Sequence, residues 1–228
     1  EILVTYMEHH ANIVPWQLVA EERGAKIVAA PIDVATGELN FAAFEKCLSK
    51  KVKMVSVTAC SNTLGTILPI EKIIKAAHAV GALVLVDAAQ IVSVANVDVK
   101  AWDCDFLVFS GHKIFAPFGI GILYGKENLL NSLPPYQGGG SMIQSVSFEK
   151  STFLNAPQRF EAGTPNVEGA IALGEALRYF ESQDINWIQS HSSALRAEAI
   201  QKVSEIGGVQ VFPGGAKSSG IFSFVLDG

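Results

Sequence analysis

Phe106-Leu107-Val108-Phe109-Ser110-Gly111-His112-Lys113 is the stretch on which the reading of this chain turns. Four apolar residues in a row make a buried strand, and a polar turn follows with a hydroxyl, a glycine, an imidazole and an amine. A lysine held just past a buried strand loses part of its hydration. Desolvation lowers an amine's pKa, and a neutral lysine amine can form a Schiff base with an aldehyde. Taken alone, Lys113 is a solvated lysine opening a loop. The reading changes because other strands converge on the same place.

Outward from this stretch, strands and helices alternate. Ile2 to Met7, Lys26 to Ile32, Met54 to Ala59, Ala82 to Val86, Phe106 to Phe109 and Gly119 to Tyr124 read as strands, with 106–109 as the central one. A helix runs from about Ile13 to Glu22, with Pro15 in its first turn and Gly24 at its end. A short one covers Phe41 to Ser49. After Pro69, the residues Ile70, Ile73, Ile74 and Ala77 form an i, i+3, i+4, i+7 stripe that Gly81 ends. The strands are apolar throughout rather than alternating, the mark of a parallel sheet covered on both faces. The expected fold is therefore α/β, a mostly parallel sheet flanked by helices.

From Leu133 the texture changes. Pro134, Pro135 and Gly138-Gly139-Gly140 mark a long loop, and Arg159 to Asn166 is polar and turn-rich. Two helices follow, about Val167 to Ser182 and Trp187 to Ile206. Val209 to Phe212 and Gly220 to Leu226 then look like the first strands of a second unit. Residues 1–206 are expected to form one large domain and 207–228 the beginning of a small C-terminal α+β domain.

Composition removes several function classes. Of 228 residues, 49% are hydrophobic and 17% charged, enough apolar material for a sizeable core. The net charge is −5 with no block of basic residues, which argues against nucleic-acid binding. Cys47, Cys60 and Cys104 lie far apart and form no CxxC pair, so a reducing, cytoplasmic compartment is expected and no zinc knuckle. No apolar run suits a membrane span, and no signal peptide is visible. Glu1-Ile2-Leu3-Val4 opens on a strand pattern without an initiator methionine, and the end follows directly on another. A piece of a longer protein is expected, truncated at both ends.

In open α/β sheets ligands bind at the carboxyl ends of the strands. Four such ends carry functional groups here: Glu8, His9 and His10; Ser61 and Asn62; Asp87 and Gln90; Ser110, His112 and Lys113. These types fit pyridoxal phosphate. It needs a lysine for its aldehyde, an acid at the pyridine nitrogen, donors for the phenolic oxygen and phosphate, and a flat group against the ring. Plainer readings stand beside this one. Asp87 can cap a helix, and Gln90 and Asn62 can be ordinary turn residues. Adjacent histidines on a strand point different ways, so His9 and His10 make a poor metal pair, and no metal site is expected. Ser110-Gly111-His112-Lys113 also matches the S-x-x-K of penicillin-binding enzymes, but S-D-N and K-T-G are absent from the chain.

The motifs, taken in order, carry a resemblance. Met7-Glu8-His9-His10-Ala11-Asn12 with Val14-Pro15-Trp16, Ser61-Asn62 with Leu64-Gly65-Thr66, Val86-Asp87-Ala88-Ala89-Gln90, Asp103-Cys104-Asp105-Phe106, Phe109 to Lys113, Gly119 to Tyr124, Gly138-Gly139-Gly140 with Met142-Ile143, and Arg159 to Asn166 span nearly the whole chain. In that order and spacing they resemble the class V aminotransferase family of fold-type I pyridoxal phosphate enzymes, and within it the group II cysteine desulfurases and selenocysteine lyases. The resemblance implies a cysteine desulfurase that takes L-cysteine, or L-selenocysteine, and passes sulfur to an acceptor protein as a persulfide. It implies Lys113 as the Schiff-base lysine, Asp87 at the pyridine nitrogen, and His9 stacked on the ring and shuttling protons. Asn62 and Gln90 would meet the substrate carboxylate and the phenolic oxygen, Ser110 and His112 the phosphate. Thr164 would reach the phosphate of the other subunit of a homodimer. Ala88 departs from a frequent glycine. The nucleophilic cysteine of the family has no counterpart among the three present. The alternatives are another class V lyase or transaminase, and a non-catalytic piece that keeps only the cofactor pocket or the dimer surface.

Overall fold

The computed structural model describes residues 1–212 and 214–227; Pro213 and Gly228, both inside the expected second domain, lie outside the described residues. In chain order the strands are β1 (Ile2–Thr5), β2 (Ile27–Ala30), β3 (Ile32–Asp33), β4 (Glu38–Leu39), β5 (Met54–Thr58), β6 (Leu83–Asp87), β7 (Phe106–Ser110), β8 (Gly121–Gly125), β9 (Ile143–Val146), β10 (Ser151–Phe153), β11 (Val209–Phe212) and β12 (Ser223–Leu226). The α-helices are α1 (Val14–Arg23), α2 (Phe41–Cys47), α3 (Ile70–Ala79), α4 (Val99–Trp102), α5 (Glu127–Ser132), α6 (Val167–Glu181) and α7 (Ile185–Ser204).

Six strands form one sheet in the order β2-β1-β5-β6-β7-β8. The first five run parallel and β8 returns antiparallel to β7. The mostly parallel, helix-flanked sheet expected from the apolar strands is present. Its middle is β5 and β6, however, not 106–109. That stretch pairs on one side with β6 and on the other with β8, which closes the edge. The expected strand from Lys26 to Ile32 is cut at Pro31, which has no N–H for the ladder. Ile32 and Asp33 pair instead with β4. The expected long loop after Leu133 contains a hairpin, β9 with β10.

Local chemistry sets the helix bounds. Pro15 sits in the first turn of α1 and Gly24 ends it at φ 64°, where a Cβ would be strained. In α3 the stripe Ile70, Ile73, Ile74 and Ala77 is buried as the periodicity requires. Asp184 caps α7 by accepting from the amides of Asn186 and Trp187, which starts that helix two residues earlier than Trp187. In β5, Ser56 Oγ donates to Asn12 Oδ1 beside α1, so by alternation Val55 and Val57 face the other way. There they join the core with Phe44, Ile73, Ile74, Val84 and Val86. Strands β11 and β12 pair with each other rather than with the large sheet. The segment before β12 crosses back to the turn after β5: Thr66 Oγ1 accepts from Gly215 N at 2.9 Å, and Gly65 O from Ser219 N at 2.8 Å. Gly65 has φ 70°, and a Cβ there would collide with the carbonyl oxygen of Ile221.

At the amino end of β7 a buried carboxylate holds three elements together. Asp105 Oδ2 accepts from Val84 N at 2.7 Å and lies 2.8 Å from His78 Nε2, while Lys126 Nζ lies 3.0 Å from its other oxygen. The side chain of Asp105 is 5% exposed. Asp105→Ala leaves the buried Val84 amide without its acceptor and leaves His78 and Lys126 with only the exposed Asp103 as anion. The expected loss is roughly 3 kcal/mol. That lowers the melting temperature by roughly 6–12 °C. Calorimetry of the variant beside the wild type reads this directly, and a shift within about 2 °C would show the cluster to be dispensable.

Candidate active site

The parallel pairing brings the carboxyl ends of β1, β5, β6 and β7 to one edge of the sheet. Thr58 is in register with Asp87, and Asp87 with Val108, so the residues after β5, β6 and β7 emerge side by side. The amino end of β8 meets them, with Gly121 opposite Ser110.

Beyond β7 the chain folds into a 3-10 turn, Gly111–Ile114, that carries His112 and Lys113. Ile114 is buried beneath it and pins the turn, while Lys113 is half-buried and His112 exposed, 5.4 Å from the Phe118 ring. A Cβ on Gly111 would meet Ile120 and Ala116, so only glycine lets the turn lie this close to β8. The turn packs on a second one, Ile91–Ser93, which follows Gln90. Asp87 Oδ1 accepts from Ala89 N at 2.9 Å. The capping reading of Asp87 is thus met by one oxygen, and it does not consume the carboxylate. Gln90 is half-buried and makes no side-chain cap to the turn it precedes.

After β5, Ser61 organises the loop: its hydroxyl accepts from Thr63 N at 3.3 Å and Leu64 N at 3.1 Å. Asn62 is left exposed at the tip. After β1, His9 caps the 3-10 turn His10–Asn12, its Nδ1 accepting from Ala11 N at 3.1 Å. A neutral His9 ring therefore carries its proton on Nε2, away from the backbone. Seven of the eight predicted residues, His9, Asn62, Asp87, Gln90, Ser110, His112 and Lys113, thus belong to this edge. Thr164 stands apart on the loop before α6. It is exposed, on a segment tethered by the bond from Gly163 N to Gly140 O and by Asn166, which donates to Gly119 O at 3.2 Å.

One residue at this edge was named from the sequence as a strand-end group but given no role. Glu8 is 8% exposed. Its Oε1 accepts from Thr5 Oγ1 at 2.6 Å and its Oε2 from Asn12 Nδ2 at 2.7 Å. Burial pushes its carboxyl up to about 7, although Thr5, Asn12 and the Thr58 backbone pull it down; the charge of Asp87 adds to the rise. A hydroxyl three residues before an acid and an amide four after it is the pattern that could have marked it. The cysteines are not poised for chemistry: Cys60 and Cys104 are fully buried, and burial pushes the Cys104 thiol up to about 11. Among the described residues, no group of three His, Cys, Asp or Glu could hold a metal ion, and no helix is long and apolar enough to cross a membrane. A cavity of about 680 Å³ between the start of α3 and residues 216–217 contains none of the predicted site residues.

A sheet with this order, presenting a lysine, an acid and an imidazole on adjoining strand ends, defines the class. The family model for aminotransferase class V matches residues 1–228, and the chain belongs to that family. It is 49% identical over its full length to a probable cysteine desulfurase of Vibrio cholerae, of which it covers 56%, and 46% identical to a cysteine desulfurase of Synechococcus elongatus, of which it covers 36%. Among solved structures, the cysteine desulfurase CsdA of Escherichia coli superposes with a TM-score of 0.93 at 37% identity, over 99% of this chain and 56% of that one. The apo cysteine desulfurase of Thermococcus onnurineus superposes at 0.90 with 35% identity, over 100% of this chain and 57% of that one. The chain therefore spans between about a third and somewhat over half the length of these proteins.

Proposed function

We propose that these residues are the cofactor-binding part of a pyridoxal phosphate-dependent cysteine desulfurase, which converts L-cysteine to L-alanine and delivers the sulfur to a thiol as a persulfide. The observation that carries the reading is the register of β5, β6 and β7, which sets Asp87 beside the turn bearing Lys113. The donor set fits the cofactor. Lys113 would hold its aldehyde carbon, Asp87 its pyridine nitrogen and Gln90 its phenolic oxygen. Ser110 and His112 would hold the phosphate, and Asn62 the substrate carboxylate. His9, with its protonated Nε2 free of the backbone, would lie on the ring and move protons together with Lys113. Bound there, pyridoxal phosphate supplies an electron sink for the carbanion at the substrate's α-carbon.

The sulfur balance is simple: cysteine plus a thiol gives alanine plus a persulfide. Cys60 and Cys104 are buried, and Cys47 lies beside Glu1 at the amino edge, away from the site. We therefore assign the first acceptor to a cysteine of the parent protein outside these 228 residues, with a carrier protein next. Exposed Thr164, and the exposed Val14, Leu18 and Val19 of α1, support a homodimer in which Thr164 reaches the partner's phosphate. The separate pairing of β11 with β12 supports a boundary near residue 206, and three free cysteines support a cytoplasmic location.

The test is the full-length protein, loaded with pyridoxal phosphate and given L-cysteine. One alanine released for each sulfur transferred is the expected result; a loaded enzyme that releases no alanine overturns the proposal. L-selenocysteine in the same assay measures the preference between sulfur and selenium.

A further inference from the structure

The acid of the Glu8-His9-His10 stretch has no part in the roles given above, yet it is the buried hub of the edge. Its carboxyl takes hydrogen bonds from Thr5 on β1 and from Asn12 at the end of the turn that His9 caps. Asn12 in turn accepts from Ser56 of β5 at 2.6 Å and from the Trp16 indole of α1 at 3.2 Å. Thr58, which ends β5, is the register partner of Asp87. Glu8 follows β1 and Asp87 ends β6, the two neighbours of β5 in the sheet. Asp87 is the charged group that bears on Glu8 from another element; His9 and His10 are the ionisable neighbours on its own segment.

We propose that Glu8 is a positioning residue, which ties the turn bearing His9 to β1 through Thr5 and to β5 through Asn12 and Ser56. The inference rests on the functional reading above. It follows from the geometry in two ways. Removing the carboxyl leaves Asn12 Nδ2 without its acceptor and cuts the link from the turn that aims the imidazole to Thr5 of β1. The carboxyl also holds Thr5, so one group ties the end of β1 to the end of the turn. Burial raises that carboxyl to about 7, so it changes charge near neutral pH.

The experiment uses the full-length protein with Glu8→Gln, which keeps the shape, accepts from Asn12 through its oxygen and can donate its amide to the Thr5 hydroxyl, and Glu8→Ala, which does none of this. In the wild type loaded with pyridoxal phosphate, the visible absorbance should show a step near pH 7, and Glu8→Gln should lack it. Glu8→Ala should lower kcat by roughly 10- to 100-fold with KM within about twofold, and Glu8→Gln should restore most of that loss. A readout free of the cofactor is melting temperature against pH. A carboxyl raised from 4.5 to about 7 binds a proton in the folded state that the unfolded state has lost. Its stabilising effect is full below 4.5 and declines as pH rises towards about 7, so wild-type stability should fall across that window and Glu8→Gln should not share the fall. If the wild type releases alanine and Glu8→Ala keeps its kcat, or Glu8→Gln restores none of the loss, the inference is overturned alone. If the loaded wild type releases no alanine, it is overturned together with the functional reading.

Discussion

Lys113→Ala in the full-length protein is expected to abolish covalent attachment of pyridoxal phosphate and to lower alanine release by roughly 10³-fold or more. In the proposed mechanism the amine both holds the aldehyde and serves as a base, so both contributions would be lost together. The argument for Lys113 over the other lysines is positional. Its turn is pinned by buried Ile114 and packs on the turn that follows Asp87 and Gln90. Lys51 and Lys53 precede β5, at the opposite edge. Lys72 lies off the buried stripe of α3, with its Nζ 5.2 Å from the centre of the Phe41 ring. Lys126 is engaged by Asp103 at 2.7 Å and Asp105 at 3.0 Å. Borohydride reduction of the loaded enzyme followed by peptide mapping should place the pyridoxyl label on Lys113. A label on any other lysine would sink the assignment. Some noncovalent cofactor binding should survive in the variant, because Asp87, Ser110 and His112 are untouched.

The fold was legible where one physical signal dominated. The stripe of α3 could face only a core, and the apolar run of β5 could sit only inside a sheet. The position of β7 in the sheet was not legible, because strand order depends on pairings between distant segments. An apolar strand one place from the edge reads the same as a central one when β8 and the helices cover it. The break at Pro31 was legible in principle: the missing N–H was in the sequence, but the apolar residues on both sides masked it. The site divides in the same way. Lys113, Asp87 and His9 announced themselves as polar residues just after apolar runs. Glu8 has that placement too, yet its burial and its closeness to Asp87 depend on β1 and β6 lying on either side of β5, which spacing along the chain does not reveal.

Asp87→Asn separates holding the cofactor from activating it. The substitution keeps an oxygen to accept from the Ala89 amide, so the turn after β6 should stay as it is. What disappears is the negative charge that favours a proton on the pyridine nitrogen, and with it much of the power to withdraw electrons from the substrate's α-carbon. Turnover should fall roughly 10²–10³-fold, the range for loss of one preorganised electrostatic partner. The pyridoxyl label should still map to Lys113, since in the proposed site the two residues would address opposite ends of the ring system. A second consequence lies at Glu8. Burial, the largest cause, still lifts its carboxyl, and the Asp87 charge is the smallest, so Glu8 should titrate only slightly lower. The two residues are then coupled, and the double variant Glu8→Gln with Asp87→Asn should lose less than the product of the single losses. Wild-type turnover in Asp87→Asn would remove Asp87 from the ring nitrogen. Strictly multiplicative losses in the double variant would show that the two carboxyls act independently.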